Sequence, residues 1–103
     1  MLDPSKIAEM MQQAQQMQSK MQNELSELRV LGQAGGGMVK VNVDGNHNCL
    51  SVEIDEAVVD KADISMLQDL IQAAINDAAR RVEEKRMEQA RSAAGNMGIP
   101  GLF

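Results

Sequence analysis

The stretch from Gly35 to Asp55, GGGMVKVNVDGNHNCLSVEID, decides the fold class. Val39, Val41 and Val43 alternate with Lys40 and Asn42, the two-residue period of a strand with one face buried. Asp44-Gly45-Asn46 is a tight-turn signal, after which Leu50, Val52 and Ile54 alternate with Cys49, Ser51 and Glu53 as the returning strand of a hairpin. Gly35-Gly36-Gly37 opens the hairpin with a turn that tolerates backbone angles other residues avoid. Just upstream, Val30 and Leu31 begin a third strand, so the centre of the chain reads as a three-stranded antiparallel sheet.

Outward from the sheet, both flanks read as helices. From Ser5 to about Arg29 there is no Gly or Pro, and Ile7, Met10, Ala14, Met17, Met21, Leu25 and Leu28 fall at the 3-4 spacing of one helical face. From about Ile64 to Ala94 the same holds, with Leu67, Leu70, Ile71, Ala74, Ile75, Ala78 and Val82 on one side. Between sheet and second helix, Glu56 to Asp60 forms a short helical turn and Asp63 supplies a helix cap. The order is therefore α-β-β-β-α, an α+β fold. At 1.5 Å per residue the helices are roughly 37 and 45 Å long, whereas a compact domain of this size has a radius of gyration of about 13 Å. Their ends must project or meet another chain. Residues 1–94 form the single domain, and the breaker-rich tail 95–103 is expected to be disordered.

Composition narrows the functional classes. A chain of 103 residues builds one modest core, here from aliphatic residues and nine Met, with Phe103 as the only aromatic. One Cys and one His, Cys49 and His47, cannot supply the four close ligands of a structural zinc site, and the glycine run lacks the Lys and Ser or Thr of a phosphate loop. No metal, cofactor, small-molecule substrate or active site is expected. Neither a signal peptide nor a membrane-spanning apolar run is visible, which points to the cytoplasm. Net charge is −5, yet its distribution is uneven. Between Asp44 and Asp77 eight acids face Lys61 alone, while between Arg80 and Arg91 five bases face three acids. A basic end on an acidic protein meets a polyanion weakly and with strong salt dependence.

Five segments together carry a family resemblance: Met10-Met11-Gln12-Gln13-Ala14-Gln15-Gln16-Met17-Gln18, Gly37-Met38-Val39-Lys40-Val41, Gly45-Asn46-His47-Asn48-Cys49, Val52-Glu53-Ile54-Asp55 and Asn76-Asp77-Ala78-Ala79-Arg80-Arg81. In this order they resemble the YbaB/EbfC family of bacterial nucleoid-associated proteins. The resemblance implies a cytoplasmic, nucleoid-located homodimer whose outer helix halves project like tweezers and hold double-stranded DNA, with no enzymatic activity. It places the DNA-contacting regions at Lys6 to about Lys20 and about Arg81 to Arg91. The expected DNA-binding residues are Lys6, Gln12, Gln13, Gln16, Lys20, Arg81, Lys85, Arg86 and Arg91.

Each of these has a plainer alternative. The C-terminal bases would neutralise phosphates on one reading. On the other they pair along their own helix, Arg80 with Glu84, Glu83 with Arg86 and Glu88 with Arg91. The Gln side chains would donate to phosphates or base edges, or serve only as good helix formers; without a helix-turn-helix or zinc-finger pattern, backbone and shape govern binding. The Met-rich seam packs on another helix, either the second helix of the same chain or one from a partner. A functional alternative in a different class is a protein-interaction scaffold whose arms grip a partner helix. No amphipathic membrane helix is favoured, because the first helix carries only Lys6, Lys20 and Arg29 as bases.

Overall fold

A computed structural model describes residues 3–96 as α1 (Pro4–Glu27), β1 (Val30–Ala34), β2 (Val39–Val43), β3 (Cys49–Ile54), one 3-10 turn (Glu56–Val58) and α2 (Ile64–Asn96). The strands lie in the order β1-β2-β3, antiparallel throughout, so the expected α-β-β-β-α arrangement is observed. The molecule measures 73 × 27 × 16 Å with a radius of gyration of 20.1 Å, well above the roughly 13 Å of a compact chain of this length. The excess is helix that the sheet does not cover.

α1 starts at Pro4, one residue before the expected Ser5. Asp3 caps it, accepting from the Ser5 N–H at 3.2 Å, and Pro4 occupies the first turn, where its missing donor costs nothing. At the other end the Arg29 guanidinium donates to the Ser26 and Leu28 carbonyls, satisfying acceptors that the helix itself leaves open. α2 begins as the sequence suggests, with Asp63 accepting from the Met66 N–H at 3.1 Å. It runs on through Gly95 to Asn96, and the remainder of the tail, 97–103, lies outside the described residues.

The core is small and aliphatic. Val30, Val39, Val41 and Val43 of the sheet meet Ala74, Ala78 and Val82 of α2, with Val58 from the 3-10 turn; Leu28, Leu67, Leu70 and Ile71 pack around them. α2 lies across β1 most closely. At Gly32 an added Cβ would sit 2.5 Å from the Ala74 carbonyl oxygen and 2.5 Å from both the Cβ and the amide nitrogen of Ala78, so the contact needs a glycine facing small residues. The glycine turn behaves as expected, with positive φ at Gly35, Gly36 and Gly37.

Two features depart from the sequence pattern. All six residues of β3 are exposed, because α2 covers β1 and part of β2 but leaves β3 overhanging. Val52 and Ile54 face the same side as Val41 and Val39, their register partners, yet remain 49% and 39% exposed. A register shift at Asn42/Val43 pairs Val43 with Cys49 and breaks the simple alternation at the start of the strand. The β2–β3 connection is also longer than the Asp-Gly signal suggests. It spans Asp44 to Asn48, closed by the Asp44 N–H to Asn48 carbonyl bond at 3.0 Å, and His47, not Gly45, takes the positive φ of 64°.

Candidate nucleic-acid interface

α1 has no buried residue over its 24 positions. Ile7, Met10, Met11, Met17 and Met21 are 43–62% exposed, so the apolar seam expected to pack on a helix is open along the single chain. Lys6, Gln12, Gln13, Gln16 and Lys20 are exposed on the same rod. Gln12, Gln16 and Lys20 fall in one shallow groove with Gln15, Ser19, Asn23, Glu24 and Glu27. Helical periodicity brings them together, since steps of four residues return to one face. The groove is rich in amide donors and acceptors, with one cation balanced by two carboxylates.

The four C-terminal bases are not equivalent. Arg81 is tied to Asp77 while its side chain stays about half exposed: its Nε donates to Asp77 Oδ2 at 2.9 Å, while Arg80 donates to Asp77 Oδ1. Asp77 is largely buried and also accepts the Gln33 backbone N–H at 3.0 Å, which satisfies a donor on the edge strand β1. The Gln33 N–H, then the Arg81 hydrogen bond, hold the Asp77 carboxyl below its ordinary value of 3.8, against the opposing effect of burial. A carboxylate so stabilised keeps its two arginines occupied.

Arg86 is also engaged, donating through Nη1 to the Gly45 carbonyl at 3.2 Å. Lys85 makes a loose pair with Glu88 at 3.4 Å, more than half exposed on both sides and so nearly without energetic weight. Arg91 is exposed and has no ion pair among the described residues. The pairs Arg80–Glu84, Glu83–Arg86 and Glu88–Arg91 that the spacing allows do not form. Asp77 takes Arg80, Gly45 takes Arg86, and His47 takes Glu83, with Nε2 to Oε1 at 2.9 Å. For Arg86 and Glu83 the partners come from the β2–β3 turn, whereas Arg80 pairs with an acid on its own helix, on the other side from Glu84. The signal for Asp77 was present in its position, three and four residues before two arginines on the flank of the buried stripe.

The β2–β3 turn is tightly bonded. Asp44 Oδ1 accepts from the N–H groups of Asn46 at 2.8 Å and Asn48 at 3.0 Å, and Oδ2 from the Asn48 side-chain amide at 3.0 Å. The Asn48 amide leads in lowering the Asp44 pKa below 3.8, helped by the two backbone donors and the charge of Arg29, with burial opposing. Among the described residues no group of three or more His, Cys, Asp or Glu is arranged to hold a metal, and no helix is long and apolar enough to cross a membrane.

Comparison with solved structures finds the same fold in an uncharacterized protein of Helicobacter pylori, whose crystal structure superposes with a TM-score of 0.74 at 24% identity, over 90% of this chain and 98% of that one. The sequence matches the model of the YbaB/EbfC DNA-binding family over residues 3–97. A match of that extent, on a chain that shows the helix, three-stranded sheet and long helix expected from the sequence resemblance, places this protein in the YbaB/EbfC DNA-binding family.

Proposed function

We propose that the chain acts as a homodimer that binds double-stranded DNA mainly through phosphate contacts from projecting helix arms, as a nucleoid-associated cytoplasmic protein that organises the nucleoid or regulates gene expression. The observation that carries this reading is α1, a 24-residue rod without a single buried side chain, in a family defined by DNA binding. A helix with no core contact of its own persists where it has something to hold. Lys6 and Lys20 on α1, with Arg91 and the loosely paired Lys85 on α2, are the cations available to phosphates. Gln12, Gln13 and Gln16 supply neutral donors beside them. Net charge of −5 keeps affinity modest and strongly dependent on salt.

Dimerisation is supported by the uncovered flank of the sheet. β3 is an edge strand, and beneath it Val41, Val43, Cys49, Val52, Ile71, Ile75, Ala78 and Ala79 line an apolar recess of 210 Å³. Ile75 is 51% exposed although it lies on the apolar side of α2. A second copy would bury this surface and close the open edge.

Fluorescence anisotropy of random-sequence duplex, titrated with protein at two salt concentrations, tests the proposal. Binding at micromolar dimer in low salt, weakened by Lys6→Ala, Lys20→Ala and Arg91→Ala together, is the expected result. No binding, or binding indifferent to those three substitutions, refutes it. The exposed methionines of α1 support a second reading, in which the arms grip a partner helix. A stoichiometric protein partner that survives nuclease treatment of a lysate would favour it over DNA.

A further inference from the structure

Both long helices are tied to one loop, the β2–β3 turn. α1 touches the rest of the fold only near its C-terminal end, where Leu25 and Leu28 are half-buried. There the Gly45 N–H donates to the Leu25 carbonyl at 2.8 Å, and a Cβ on Gly45 would lie 2.5 Å from that oxygen and 2.9 Å from the Leu25 Cα. The carbonyl of the same residue is bound to the other arm, accepting from Arg86 at 3.2 Å. About one turn earlier in α2, Glu83 meets His47 of the same loop, Nε2 to Oε1 at 2.9 Å. Asp44 stiffens the loop from within through its three bonds to Asn46 and Asn48. Between the arms, Met21, Glu24 and Leu25 of α1 face Arg86, Met87, Gln89 and Ala90 of α2 across a cleft of about 310 Å³, so side-chain packing beyond the turn is loose.

We propose that Arg86 and Gly45 form a clasp that fixes the angle between the two arms, which makes Arg86 a positioning residue for the DNA binding proposed above and not one of its phosphate contacts. The functional half of this rests on the DNA-binding reading; the mechanical half does not. A phosphate contact needs a guanidinium free to turn toward solvent, whereas this one is committed to a carbonyl on the loop that also carries α1. Losing the tie leaves the turn joined to α2 by the exposed His47–Glu83 contact alone, and α1 held by one backbone hydrogen bond, the half-buried Leu25 and Leu28, and the chain link. A swing of about 10° about Leu25 moves Glu9, sixteen residues and about 24 Å up the rod, by about 4 Å.

The test is a distance measurement made without DNA. Spin labels at Glu9→Cys and Ser92→Cys, in a Cys49→Ser background and diluted into excess unlabelled protein so that only pairs within one chain are read, report the arm separation by double electron–electron resonance. The parent gives one narrow distribution. Arg86→Ala broadens it and moves its mean by about 4 Å, with circular dichroism unchanged. Arg86→Lys, which keeps a donor of similar reach, restores the parent distribution. Gly45→Ala shifts it as well, by pushing Leu25 away, and Lys85→Ala leaves it alone. In duplex titrations Arg86→Ala weakens binding with the slope of log K against log salt unchanged, while Arg91→Ala, which removes one phosphate contact from each of the two protomers, lowers that slope by about 1.8. An unaltered distribution in Arg86→Ala, or a slope lowered by the same amount as for Arg91→Ala, overturns the proposal. A parent protein that binds no duplex removes the DNA-binding reading, and the distance arm then still decides whether Arg86 sets the arm angle.

Discussion

Replacing Gly32 by Ala tests the closest approach in the fold. The added methyl group would meet three atoms at 2.5 Å: the Ala74 carbonyl oxygen, the Ala78 Cβ and the Ala78 amide nitrogen. Carbon atoms in good contact lie about 3.5–4.0 Å apart, so α2 must move off β1 by about 1 Å, and two of the obstructing atoms are backbone that cannot rotate away. Such a shift loosens Ala74, Ala78 and Val82 from Val30, Val39 and Val41, which is most of the core. Overpacking of this kind costs about 1–3 kcal/mol. A loss of about 2 kcal/mol would lower the melting temperature by roughly 8–16 °C in a domain of this size. Urea unfolding at one fixed protein concentration reads the change without confusing it with altered association. Ala78→Gly in the same chain removes only the Cβ contact, so the double variant should recover part of the loss and show a coupling of about 0.5 kcal/mol or more. A cost for Gly32→Ala within about 0.5 kcal/mol, the range of an unconstrained surface change, refutes the packing described.

Val52→Asp should leave the isolated chain folded, since the side chain is 49% exposed there, but abolish the dimer; sedimentation equilibrium that still finds two chains would place the interface elsewhere. Substituting Lys6, Lys20 and Arg91 together by Ala, three cations in each protomer of the dimer, should lower the salt slope of duplex binding by about 5, whereas Arg81→Ala, whose guanidinium is held by Asp77, should change it little. Asp44 and Asp77 both have folded pKa values lowered below 3.8, so their contribution to stability is present above that value and is lost as pH falls through the lowered folded values. Thermal melts from about pH 5 down to about pH 2 should show a decline that Asp77→Asn and Asp44→Asn together flatten; an undiminished decline in the double variant places the acid sensitivity in other groups.

Much of the fold is legible in periodicity. Val39, Val41 and Val43 announced a strand buried on one face, and all three are buried. The glycine-free runs announced two long helices, and Asp63 marked where the second begins. Asp3 and Pro4 were a start signal for the first helix in plain view, a capping carboxylate followed by a residue suited to the first turn. β3 misleads because alternation reports only that one face is apolar. It does not say that something within the same chain covers that face.

The candidate interface was legible as a set of residue types and not as a set of roles. Sequence spacing offered Arg80, Arg86 and Arg91 local acidic partners, since residues three and four apart on a helix are neighbours. It could not rank those against partners arriving from forty residues away. The sequence alone determined the order of elements, the length of the rods and the imbalance of charge, because these depend on near-neighbour periodicity and on counting. Only the tertiary structure decided that Asp77 accepts the Gln33 N–H of β1, that Arg86 reaches Gly45, and that α1 stands clear of the core. Those outcomes depend on which distant backbone and carboxylate groups folding brings within hydrogen-bond range, and no local pattern encodes that distance.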